Sequence, residues 1–122
     1  MELTGQYHIK SIIIAVVLFT MAQSLAWLQF NLQFKDPERF GPNWWGYYVA
    51  AIPITLCFLW ATKYGVHGLG GSLWANRFIG FAIGIIIYGI LTQVFFNQPV
   101  TPKVIIQMLL AVSIMAVQFI IK

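Results

Sequence analysis

The side chains best placed to do chemistry in this sequence are amides, hydroxyls and aromatic rings set in apolar surroundings. Thr20, Gln23, Ser24, Trp27 and Asn31 fall at i, i+3, i+4, i+7 and i+11, which puts them on one face of an α-helix. Tyr48, Ala51, Thr55, Phe58 and Thr62 repeat in a similar way, and Gly80, Gly84, Tyr88 and Thr92 follow at four-residue steps. A last stretch offers Gln107, Ala111 and Gln118. Brought together, these faces would line a neutral, aromatic interior. It would take a flat or weakly polar solute, stacked on Trp27 or Tyr88 and hydrogen bonded to Gln23, with Thr92 and Gln107 at the margin. Gln23, Trp27, Tyr88, Thr92 and Gln107 are therefore the candidate substrate-binding residues. The competing reading of the same stripes is packing, because small residues let helices approach and polar side chains bond across helix interfaces at about 0.6 kcal/mol each.

Other chemistries find no residues to carry them. His8 and His67 flank the apolar stretches, with no Cys, Asp or Glu at ligand spacing, so no metal site is expected. No serine has a base nearby in sequence and no glycine loop precedes a phosphate-binding helix, so no catalytic residue is assigned, no cofactor is expected, and the chain does not read as an enzyme. The seven basic residues form no cluster that would track phosphates, which argues against nucleic acid as a partner. The lone Cys57 reads as a small buried hydrophobe.

The elements that must position these groups follow from composition. Of 122 residues, 60% are hydrophobic and 8% charged, and the mean hydropathy is +0.80. An average soluble domain is about 25% charged, so so small a chain cannot clothe itself for water and must be sheltered by lipid. The hydrocarbon core, about 30 Å thick, needs about 20 residues of helix. Four stretches qualify, at residues 11–34, 44–62, 78–96 and 102–121, giving an all-α integral membrane fold in a single domain, 1–122. The first connection holds two prolines and four charges. The second, from Lys63 to about Arg77, is glycine-rich and reads as flexible. The third, Asn97 to Thr101, reads as a short hairpin between the third and fourth helices, with Pro102 in the first turn of the last helix. Pro53 is expected to kink the second helix. Trp44, Trp45, Tyr47, Tyr48 and Tyr64 read as interfacial anchors.

Ser24-Leu25-Ala26 loosely resembles a signal-peptidase site, but the apolar stretch is too long and its polar stripe continues past the triplet, so the segment reads as a retained span. Lys10, Lys63, Arg77 and Lys122 would lie on one side of the membrane and Lys35, Arg39 and Lys103 on the other. That margin favours both termini in the cytoplasm, with insertion in both orientations as the alternative.

Four helices in so short a chain, with a tight last hairpin, resemble the small multidrug resistance type of the drug/metabolite transporter superfamily. Residues 77–121 are similar to that superfamily's third helix, Gly-Glu-Pro-type turn and fourth helix, the turn here reading Asn97-Gln98-Pro99; the Ala26-Trp27 step is also shared with four-helix members. The resemblance implies a transporter in the bacterial inner membrane, working as a homodimer. It also implies a first-helix glutamate at which protons and cationic substrates compete, and here Ala22-Gln23 stands where Ala-Glu is typical. An amide does not ionise, so proton-coupled cation antiport is not expected. Two function classes remain: a small permease for a neutral or weakly polar solute, or a non-transporting accessory subunit of a larger membrane complex. Self-association is expected along Ala111, Ser113 and Ala116, with Gly80 and Gly84 as a second small-residue surface.

Overall fold

A computed structural model describes residues 6–121 and is entirely helical; the flanking charges Glu2 and Lys122 lie outside the described residues. Four helices follow one another: α1 (Ile9–Lys35), α2 (Trp45–Gly68), α3 (Leu73–Phe96) and α4 (Pro102–Ile120). Each is long and apolar enough to cross a membrane, which fits an integral membrane protein. α1 packs against both α2 and α3, α2 touches α3 lightly, and α4 lies against α3 with its backbone close to no other helix.

Three helix ends differ from the sequence reading by two residues or more. α1 starts two residues before the expected 11, α2 continues to Gly68 instead of stopping at 62, and α3 begins at Leu73 instead of 78. The broad glycine-rich loop expected between α2 and α3 therefore shrinks to Leu69-Gly70-Gly71-Ser72. Gly70 and Gly71 have φ of 70° and 88°, a left-handed path that costs glycine little. Gly71 N–H bonds to Val66 O at 2.8 Å, and Ser72 Oγ caps α3 by accepting from Ala75 N–H at 3.0 Å. Lys63 does not end α2 because its long stem lets the ammonium reach outward, here over the Trp60 ring at 4.7 Å. α2 also runs through Pro53 as one helix, on an exposed position.

The other two connections are closed by side chains. Asp36 Oδ1 accepts from Arg39 N–H at 3.3 Å, and Tyr47 Oη donates to Phe40 O at 2.6 Å beneath a cluster of Phe40, Trp44 and Tyr47 rings. After α3, Asn97 takes φ 53° at the C-cap, and Thr101 Oγ1 accepts from Val104 N–H at 3.3 Å to start α4 at Pro102.

Small residues set the helix spacing. Ala15, Phe19 and Ala61 form one buried cluster between α1 and α2, and Leu69, Ala75 and Ile79 form another. At Gly65 an added Cβ would collide with Asn76 Oδ1 of α3, and at Gly68 it would come within 2.8 Å of Ile12 on α1. These glycines are close-approach points between helices, which is why α2 keeps its helical form through them.

At one end of the bundle, residues just before α1 tie the structure together. His8 N–H bonds to Gly68 O at 2.8 Å, and the His8 ring stacks on His67 at 4.5 Å with 4° between planes. Tyr7 Oη donates to Gln118 O (3.3 Å) and accepts from Gln118 Nε2 (2.8 Å), so the start of α1 and the end of α4 lie at the same end.

Candidate functional site

Two clefts open on α3, one on each side of Tyr88. The larger, about 760 Å³, lies where α1, α2 and α3 meet and is bordered by Phe19, Gln23, Phe58, Asn76, Arg77 and Tyr88, among others. The smaller, about 530 Å³, runs between α3 and α4 and is bordered by Tyr88, Thr92, Gln98 and Gln107, among others. Tyr88, 51% exposed, is common to both.

Gln23 sits near the middle of α1. Its Nε2 donates to Gly80 O at 3.3 Å, across to α3. Its Oε1 has no partner among the described residues and is left to the larger cleft. Gly84 makes room for it: a Cβ there would lie 2.9 Å from Gln23 Nε2. Gly80 is similarly filled by the Phe19 ring, at 3.3 Å from an added Cβ. The two glycines expected to serve self-association thus face α1 within the same chain, because α1 needs them to bring Gln23 and Phe19 close to α3. Ala111, the buried residue of α4, lines the α3–α4 cleft.

Trp27 behaves differently from Gln23. It is 5% exposed and enclosed by the Phe95 and Phe96 rings at 5.5 and 5.6 Å. Its Nε1–H donates to Thr92 Oγ1 at 3.1 Å, so two of the expected solute contacts are bonded to each other. One turn further along α1, buried Asn31 donates from Nδ2 to Trp27 O (2.9 Å) and accepts from Tyr88 Oη at 3.4 Å. Lys35 Nζ then reaches Phe95 O at 2.9 Å, a cation at the C-terminal end of α3. The chain of contacts Gln23–Gly80, Trp27–Thr92, Asn31–Tyr88 and Lys35–Phe95 is the seam between α1 and α3. Thr20 and Ser24, on the same stripe, instead bond to Val16 O and Thr20 O of their own helix.

The five candidate residues therefore do not share one interior. Gln23 and Tyr88 border the larger cleft; Tyr88, Thr92 and Gln107 border the smaller; Trp27 lies behind them in the seam. Gln107 is exposed and bonds to nothing among the described residues, since α4 does not approach α1.

Two residues missed in the sequence reading belong to the larger cleft. Asn76 is 7% exposed, and its Oδ1 is buried without a hydrogen-bond partner. Arg77, next to it, is exposed on the cleft rim and pairs with no carboxylate among the described residues. The signal was present: Asn76 precedes Gly80 and Gly84 at the same four-residue step. It was hidden by reading residues 63–77 as a loop.

Among the described residues, no group of three or more His, Cys, Asp or Glu side chains is placed to hold a metal ion. Comparison with family models, with curated proteins and with solved structures finds no match to this chain.

Proposed function

We propose that this chain is a small membrane carrier that binds a solute with a neutral or weakly polar body in the α1–α3 cleft and moves it across the bilayer. One observation carries this reading: Gln23, mid-way along α1, spends only its amide N–H on the protein and leaves its carbonyl oxygen to a cleft of about 760 Å³ walled by aromatic rings. Gln23 is half-buried, and a polar oxygen at this depth gains from a donor that the protein does not supply, since unpaired polar groups in hydrocarbon cost several kcal/mol. The reading agrees with the resemblance to the drug/metabolite transporter superfamily and with residence in a bacterial inner membrane. With Gln23 at the position of that family's carboxylate, the carrier works without exchanging protons for cations.

A second reading, an accessory subunit of a larger complex, is favoured by α4. Among the helices it packs against α3 alone, and it turns Leu109, Leu110, Ile114 and Val117 outward, a whole helix face available to another chain or to a second copy. Reconstitution into liposomes tests the first reading. Gln23→Leu should abolish solute uptake while leaving expression and helix content unchanged. No uptake of any neutral aromatic solute by the wild type, together with co-purification of a fixed unrelated chain, would replace the carrier by the subunit.

A further inference from the structure

The Arg77 end of the larger cleft has a charge pattern that the rest of the site lacks. Arg77 borders the cleft in the first turns of α3, where the helix N-terminus adds a partial positive charge. Among the described residues the carboxylates are Asp36 and Glu38, and both lie in the α1–α2 connection at the opposite end of the bundle. Lys10, Lys63 and His67 share the Arg77 end, so the guanidinium is surrounded by other bases. Beside it, Asn76 borders the cleft at 7% exposure; its Oδ1 is buried against Gly65 of α2, and its Nδ2, the atom able to donate to an anion, makes no hydrogen bond among the described residues. A guanidinium has five N–H donors in a fork that matches a carboxylate or phosphate. Such a fork, with the amide N–H of Asn76 beside it, is satisfied best by an anion.

Deeper in, Phe19, Phe58 and Phe81 supply apolar walls and Gln23 a polar atom. The cleft is therefore graded along its length, cationic at the rim and aromatic within. We propose that it takes an amphiphile with one anionic group, a carboxylate or a phosphate, held by Arg77 and Asn76 while its apolar body lies against the phenylalanines. This rests on the carrier reading and adds the charge of the ligand. The anion has two sources of the same chemistry, a free acid or the head group of an acidic lipid.

The experiment uses the full chain in phosphatidylcholine nanodiscs with two probes of equal size, 4-phenylbutyrate and its amide, 4-phenylbutyramide. Binding is read from the side-chain amide NMR signals of Gln23 and Asn76. The carboxylate should bind at least about 10-fold more tightly than the amide, the equivalent of one charge-assisted hydrogen bond. Arg77→Gln should bring the two affinities together without weakening the amide, and Arg77→Lys should keep part of the preference. Replacing a third of the lipid with phosphatidylglycerol separates the sources. Displacement of the carboxylate that depends on Arg77 assigns the site to a lipid head group, and no displacement assigns it to a free acid; both outcomes support the anion site. Equal affinities in the wild type, or a preference unchanged in Arg77→Gln, overturn it while leaving the carrier reading in place. If neither probe moves the Gln23 signals, both fall.

Discussion

Trp27 and Thr92 provide a sharp test of the seam, because both were expected to face a solute and the structure bonds them to each other. Trp27→Phe removes the donor and Thr92→Val the acceptor, and the double variant removes both. The bond is 3.1 Å long, and Trp27 is 5% exposed. Interhelical hydrogen bonds between membrane helices average about 0.6 kcal/mol, with a maximum near 1.7. The two single changes are not symmetrical. Thr92 without its partner can turn its hydroxyl to a carbonyl of its own helix, as Thr20 does with Val16 O. Trp27 without Thr92 keeps a buried N–H with nowhere to go, which costs about 1–3 kcal/mol. Thr92→Val should therefore destabilise by about 1–3 kcal/mol through this contact alone, and restoring the balance with Trp27→Phe should recover about 0.6–1.7 kcal/mol of it as coupling. That is about a 3- to 16-fold effect on the unfolding constant. Reversible unfolding of the four proteins in mixed detergent micelles gives the cycle directly. Additive single effects, within about 0.3 kcal/mol, would refute the bond as a structural contact. Coupling that appears only with solute present would return both residues to the solute.

Further expectations come from the glycines and from the bundle ends. Gly65→Ala should lose about 1–3 kcal/mol in the same unfolding assay, because its Cβ would collide with Asn76 Oδ1, and Asn76→Ala should rescue most of that loss; a neutral Gly65→Ala would mean the helices are not in contact there. Gly84→Ala should swing Gln23 off Gly80 O, costing about 0.6 kcal/mol and shifting the Gln23 side-chain NMR signals, whereas an unshifted spectrum would contradict the contact. In a Cys57→Ser background, single cysteines at positions 38 and 63 should label from opposite sides of sealed vesicles, since they occupy opposite ends of the bundle. Labelling from the same side would reject a four-span arrangement.

How much of this was legible beforehand depended on which force set each feature. The four helices could be read because charge-free stretches of sufficient length have few other solutions in lipid. The hairpin at Asn97–Thr101 could be read because turn and cap residues act locally. The ends of α2 and α3 could not. Lys63 and Arg77 look like terminators, yet a long basic side chain can extend from within a helix. Gly65 and Gly68 look like loop residues until Asn76, Ile12 and His8 are seen pressed against them. Partner choice was the other gap. The stripe Gln23, Trp27 and Asn31 announces a polar face, but whether it meets solute or helix is decided by how α3 is rotated about α1. The glycines placed at a surface between copies turned out to serve that same rotation. Asn76 and Arg77 were missed for a related reason, since their role appears only once residues 73–77 are known to be helix.

The Tyr7–Gln118 contact has a consequence for the order in which the molecule is put together. Its two residues are 111 apart in sequence, and it links α4 to something other than α3. A chain made from its N-terminus can settle α1, α2 and α3 against one another through Gly65, Gly68 and Gly80 while α4 is still unmade. The segment before α1 is already fixed at that stage by His8 on Gly68 and His67. α4 then needs only to lie along α3 for Gln118 to meet Tyr7. The helix held by the fewest neighbours, α4, is thus tied back to the segment before α1 through the side chains of Tyr7 and Gln118.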